Sequence, residues 1–306
     1  MSGRAWAAFA GVSMLWGMPY LLIKVAVDDG LPPAFVTWVR VVLGAGVLLA
    51  LARRAAVLNT LHGRARWLVV VAATEIAVPF TLIAVGEQHV SSSLAAIVIA
   101  AAPLFVVPLA LRFDPSERAG GLRLTGLLLG LAGVVALVGI DVAGSVGELL
   151  GATAILAAAF CYAVGPMVYK RHLADLDPRA SMGASLAIAA FLLTPAVAIE
   201  PPAAAPSPGA GLSLLGLGLV CTAAALVLYG MLIAEAGASR ALVITYINPV
   251  VALALGTTIL GERPGIGAAA GLPLILAGSW LSTRRNRRPQ PHTRIGHARP
   301  ELGTTP

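Results

Sequence analysis

Charge is scarce in this chain of 306 residues. Asp, Glu, Lys and Arg together make up 11% of it, and the acids number only 14. With 58% of residues hydrophobic, so little charge argues against a water-soluble globule. Cysteine is limited to Cys161 and Cys221, whose separation matches neither a metal-ligand pair nor a disulfide framework. Both fall inside apolar stretches and read as small buried hydrophobes. No HExxH, no aspartate-rich metal motif and no P-loop occurs, so neither a metal, a cofactor nor direct coupling to ATP hydrolysis is expected. Lysine is rarer still, at Lys24 and Lys170 alone, and with abundant Ala, Gly and Pro this hints at a GC-rich bacterial genome.

What the chain has in quantity is long apolar runs. Spans of about 20 residues, the length that crosses a ~30 Å hydrocarbon core, are predicted near 5–27, 34–52, 67–86, 91–111, 122–140, 147–168, 180–199, 212–234, 241–260 and 264–282. The first resembles a signal peptide only superficially, because it is long and introduces nine more, so it is expected to stay uncleaved. The cations fall in alternate gaps: 18 of the 21 Lys and Arg lie on one side, Arg263 lies on the other, and Lys24 and Arg40 lie within spans. The positive-inside rule then places both termini in the cytoplasm. The net charge of +7 comes from these inner loops and the tail, so it expresses topology and not nucleic-acid binding. Residues 283–306 are Arg-, Pro- and His-rich and read as a disordered basic cytoplasmic tail that meets anionic lipid heads.

The halves repeat. Glu117-Arg118 follows Pro103 much as Glu262-Arg263 follows Pro249, and from each Glu a Gly comes nine residues on and another seven beyond that: Gly126 and Gly133, then Gly271 and Gly278. Trp16, Lys24 and Pro32 are spaced by eights, as are Tyr162, Lys170 and Pro178. Five spans per half is an odd number, so the second copy, 143–282, enters the bilayer with polarity opposite to the first, 1–142. Inverted repeats are a recurring plan of secondary transporters, because equivalent halves can exchange conformations around a midplane site.

Trp16-Gly17 with Lys24, Pro32-Pro33 and Arg40, the run GEQHVSSSLAAIVIAAAPLF from Gly86 to Phe105, and INPVVALALGTTILGERP from Ile247 to Pro264 together resemble EamA-type members of the drug/metabolite transporter superfamily. The resemblance covers residues 5–282 and implies an all-α integral membrane carrier of ten transmembrane helices in two inverted five-helix repeats. It also implies a bacterial inner-membrane location and, usually, efflux of amino acids or other small metabolites. One departure is Ala100, Ala101 and Ala102, where the family often has small polar residues.

Charges within the spans are the candidates for chemistry, since each costs about 2.5–3.5 kcal/mol at the bilayer centre unless it faces a cavity or a partner. Glu75 is a proton-coupling or substrate-amine site on one reading, and an ion-pair partner of Arg40 on the other. Trp16, Tyr20 and Lys24 follow an i, i+4, i+8 course that would line a cavity wall; alternatively Lys24 snorkels beside Asp28. Pro19, Pro79, Pro103, Pro166 and Pro249 are predicted helix breaks that free carbonyls, the last two beside Tyr162, Tyr246 and Asn248. Gln88 and His89 are either gate residues or interface polars. Gly126-x-x-x-Gly130 and Gly267-x-x-x-Gly271 read as close helix packing, with a homodimer contact as the alternative. The expectation is a carrier, and not an enzyme, for a small polar metabolite, working by alternating access. An intramembrane enzyme on a lipid-linked substrate and a non-transporting membrane subunit are the competing classes.

Overall fold

The computed structural model describes residues 2–113, 121–142, 144–237 and 243–283. Glu117-Arg118 of the repeat and the tail from 284 lie outside them. Every described regular element is helical, and no strand occurs among the described residues. Seven helices are long and apolar enough to cross a membrane: α1 (Gly3–Asp28), α2 (Pro33–Arg54), α3 (Ala65–Glu87), α5 (Leu124–Val142), α6 (Val146–His172), α7 (Pro178–Ile199) and α8 (Pro208–Ala236). Among the described residues there are also three shorter apolar helices, α4 (Ser92–Val106), α9 (Ile244–Ile259) and α10 (Ile266–Ser282). Each falls on one of the stretches expected from the sequence. The helical choice follows from the solvent, because hydrocarbon offers backbone groups no hydrogen bonds and a helix satisfies them within one segment.

The outside of the bundle is apolar. Phe191, Leu150, Val135 and Leu128 turn outward and are each more than half exposed, as suits contact with lipid tails. Inside, Ile97, Leu137, Ile155 and Leu217 are fully buried in one core spread over several helices, and Leu48 and Leu186 lie in a second between α2 and α7. The most extensive pairings are α2 with α7, α5 with α10, α3 with α6 and α1 with α8, followed by α2 with α8, α4 with α6, α1 with α9 and α3 with α7, while α4 meets α9 through a smaller contact. Exchanging each helix for the one five places along leaves this set of pairings unchanged.

Two of the prolines mark interruptions. α1 breaks at Met18, just before Pro19. α4 breaks at Ala100–Ala101, with Pro103 in the turn that restarts it. The Ala100 carbonyl there accepts a hydrogen bond from the Ser279 hydroxyl of α10 at 3.1 Å, so a side chain of the other half supplies polarity at the alanine run. Pro79 acts through the segment before it, where α3 winds as a π-helix over Ala72–Ala77 and Glu75 sits in the widened turn. Pro166 and Pro249 do not break their helices, and α6 and α9 run through them. A proline removes one donor, which a helix held by its neighbours tolerates.

The small-residue faces meet within the chain. A Cβ on Gly133 would lie 2.9 Å from the Gly271 carbonyl oxygen, and one on Gly278 would lie 2.5 Å from Gly130 Cα. These glycines are therefore spent on the α5–α10 contact, which is the helix-packing reading of the two motifs. Lipid tails are as apolar as leucine, so such helix contacts gain from close packing and not from escape from water. At one end of the bundle Arg64 reaches Asp175 at 2.7 Å and the His172 carbonyl at 2.8 Å, while Trp67 stacks on His172 with ring centroids 3.5 Å apart. This ties the start of α3 to the end of α6.

Gly278→Ala should destabilise the protein by about 1–3 kcal/mol, because the clash is with backbone and cannot relax locally. Gly46→Ala, where nothing lies within 4 Å of the new methyl, should change stability by less than about 1 kcal/mol. Denaturant unfolding in detergent micelles measures both; equal costs would refute the packing argument.

Candidate functional site

Arg40 is the most buried cation, 7% exposed on α2. Its Nε donates to Thr222 Oγ1 at 3.0 Å, and its guanidinium lies over the Phe80 ring, 3.8 Å from the centroid. Thr222 is itself fixed by donating to the Leu217 carbonyl at 2.8 Å, five residues back, within a π-helical stretch of α8 (Gly216–Ala224). Among the described residues no carboxylate lies within ion-pair distance of Arg40, so the Arg40–Glu75 pair, one of the two readings of Glu75, does not form. The two sit on adjacent helices, but Arg40 turns toward α8 while Glu75 turns toward α6.

Glu75 packs its carboxylate against Gly165, where any side chain would collide with it. Glu75 Oε2 is buried and has no hydrogen-bond partner. Tyr162 lies within electrostatic reach of both Arg40 and Glu75, and Tyr229 within reach of Glu75. The bundle thus holds a guanidinium and a carboxyl group that are not paired with each other, with tyrosines around them. Such an arrangement suits a ligand carrying both charges, since a buried ion needs a partner of opposite sign.

The aromatic face proposed for α1 is divided by the interruption at Met18. Trp16 pairs with Tyr229 at 4.7 Å between ring centroids and joins a cluster with Val12, Leu232 and Ile244. Tyr20, beyond the break, is 8% exposed in the main core. Lys24 bonds Asp28 at 3.0 Å and donates to the Glu87 carbonyl at 2.9 Å, so it caps the end of α3, where a cation favours the helix dipole. Asn248 on α9 keeps a buried Oδ1 without a partner, and Tyr246 lies two residues toward the start of that helix, half-buried. Gln88 is exposed at the α3 terminus and outside the central cluster.

Sequence reading missed Glu87. It is fully buried, and both carboxylate oxygens lack a hydrogen-bond partner. It lies just past the predicted third span, 67–86, and only the fold buries it, with Lys24 and Glu262 within electrostatic reach. Thr222, Phe80 and Tyr229 were equally silent, being ordinary residues of apolar helices until α8 is laid beside α2. The signal available for Thr222 was its place as the one hydroxyl between Ser213 and Tyr229 of a long apolar stretch.

The EamA-like transporter family model matches residues 3–139 and 149–284. The chain belongs to this family. It is a multi-pass inner-membrane transporter. Among curated proteins it is 30% identical over 260 residues to YedA of Escherichia coli strain K12, described as an uncharacterized inner membrane transporter; the match covers 83% of this chain and 82% of that one. It is 26% identical over 282 residues, 89% of this chain and 92% of the other, to a protein of the same strain named a probable amino-acid metabolite efflux pump. A solved crystal structure shares its fold with a TM-score of 0.66 at 22% identity, covering 92% of this chain and 98% of that chain.

Because no ion pair joins Arg40 to Glu75, the stability costs of Arg40→Gln and Glu75→Gln should add in the double variant to within about 0.5 kcal/mol. A coupling of about 1 kcal/mol or more in unfolding measurements would show that the two charges compensate each other directly.

Proposed function

We propose that this EamA-family transporter is a secondary carrier that exports a small polar metabolite, an amino acid or a related zwitterion, by alternating access. The observation that carries this reading is a buried guanidinium and a buried carboxyl group that are not paired with each other. Glu75 offers a carboxylate to a substrate ammonium, Arg40 offers a guanidinium to a substrate carboxylate, and Tyr162 stands within reach of both. The relative named as an amino-acid metabolite efflux pump supports the substrate class.

Ten spans in two inverted repeats, 1–142 and 143–282, are the architecture proposed. Two stretches matched by one family model support it, as does a set of helix pairings that survives exchange of the halves. In such a scheme the fixed centre faces each side in turn as the halves swap conformations. Both termini are placed in the cytoplasm on the charge asymmetry of the loops. Reporter fusions after Arg64 and Arg287 should therefore read cytoplasmic and one after Ser145 periplasmic; the opposite result at either arginine would overturn the orientation.

Glu75 is also the proposed proton-coupling group. In proteoliposomes screened with radiolabelled amino acids, Glu75→Gln should abolish uptake driven by a pH gradient. Survival of solute exchange in this variant assigns the proton to Glu75. Loss of exchange by about 10–100-fold, as expected for a charge-assisted hydrogen bond, assigns it to the substrate ammonium. Unchanged gradient-driven flux would exclude both roles.

A further inference from the structure

The first turn of a helix leaves backbone N–H groups without intrahelical partners. At α4, Ser91 covers one by accepting from Leu94 N–H at 3.2 Å. Two more are taken by a residue far away in sequence. The Glu262 carboxylate, in the loop between α9 and α10, accepts from the N–H groups of Ser92 at 2.7 Å and Ser93 at 3.0 Å, and also from the Ser93 hydroxyl. The contact is built from both sides. Glu262 N–H donates to the Gly256 carbonyl at 3.0 Å, and Gly256 has no side chain where Glu262 and Ser93 meet. Burial alone would raise the Glu262 carboxyl, but the hydrogen bonds from Ser93 and Ser92 outweigh it and hold the group below its ordinary value, hence ionised.

A second cap of the same kind lies at the same end of the bundle. Asp141, in the π-helical end of α5, accepts from Gly267 N–H at 2.9 Å and Ala268 N–H at 2.6 Å at the start of α10. Both caps join one half of the chain to the other, but their surroundings differ. Asp141 binds two helices already packed backbone to backbone along their glycine faces. Glu262 binds α4 to α9, a much less extensive contact, and the capped piece of α4, Ser92–Ile99, ends at the interruption of Ala100–Ala101. It is a short arm, buried from Ser92 to Val98 among its neighbours, with the interruption at one end and a carboxylate at the other.

The capped state also strands polar atoms. Glu87 lies within electrostatic reach of Glu262, and its two carboxyl oxygens are buried without a hydrogen-bond partner. Release of the arm would break three hydrogen bonds and admit water to these two atoms. The polar gains offset part of the polar losses, which narrows the free-energy gap between the two conformations.

We propose that Glu262 is a releasable latch: bound to the α4 N-terminus it closes this end of the transport path, and on release the Ser92–Ile99 arm swings about Ala100–Ala101 while the Asp141 cap stays in place. The proposal rests on the alternating-access reading, and its test requires neither a substrate nor a known orientation. Spin labels are placed through Gln88→Cys and Arg263→Cys, both exposed, in the full chain carrying Cys161→Ser and Cys221→Ser, and the distance between them is read by pulsed electron resonance in lipid nanodiscs. The latched protein should give a short main distance. Glu262→Ala should add a longer population of comparable amplitude, and Gly256→Ala, which crowds the latch, should do the same if the first variant folds poorly. Asp141→Asn should lower thermal stability without adding the longer population. A distance distribution unchanged by both Glu262→Ala and Gly256→Ala would make Glu262 a static cap, and a longer population in Asp141→Asn would remove the distinction between the two ends. Failure to transport any amino acid would refute the proposed substrate and leave these distances as they are.

Discussion

A backbone or side-chain polar group that loses water inside a bilayer must find its hydrogen bond within the protein, at a cost of several kcal/mol if it does not. That constraint makes every described element a helix, and it governs the departures from helix as well. Where α4 breaks, the Ala100 carbonyl finds the Ser279 hydroxyl. Where α3 ends, the Glu87 carbonyl finds the Lys24 ammonium. Where α4 and α10 begin, carboxylates from the opposite half supply the acceptors. The loops thereby hold the halves together through the groups that helix geometry leaves over.

The widened turns follow the same logic. Three π-helical stretches, Ala72–Ala77, Val138–Val142 and Gly216–Ala224, carry Glu75, Asp141 and Thr222 respectively. An extra residue in a turn rotates the following side chains and changes which face meets a neighbour, and such bulges are frequent at functional sites. Here they aim a carboxylate at α6, a cap at α10 and a hydroxyl at Arg40. With Arg40 held by a neutral hydroxyl and an aromatic face, its charge stays available, which a carboxylate partner would have consumed.

Close packing explains the glycines. Between lipid-solvated helices the gain lies in dispersion contacts, so interfaces need backbones to approach. The glycine faces of α5 and α10 occupy one another, making this pair the natural fixed element, whereas α4 and α9 meet through a thinner contact closed by Glu262. Rigid and releasable parts of one bundle are distinguished by how much backbone contact each helix pair has.

Residues 5–282 by themselves determined the helical segments, their approximate limits and the family, because the length of an apolar run and its flanking charges are set locally by the thickness and polarity of the bilayer. They also singled out Arg40 and Glu75, since a charge within an apolar run stands out without any fold. Which groups these charges meet was decided only by tertiary structure. Glu75 faces Gly165 and Arg40 faces Thr222 because of π turns and helix pairings that no local pattern encodes. Glu87 became a buried group only in the packed bundle, and Glu262 became a cap only when α9 was laid beside α4. A hydrogen bond spanning 170 residues of sequence depends on the relative placement of two helices, a property of the packed bundle and not of either segment.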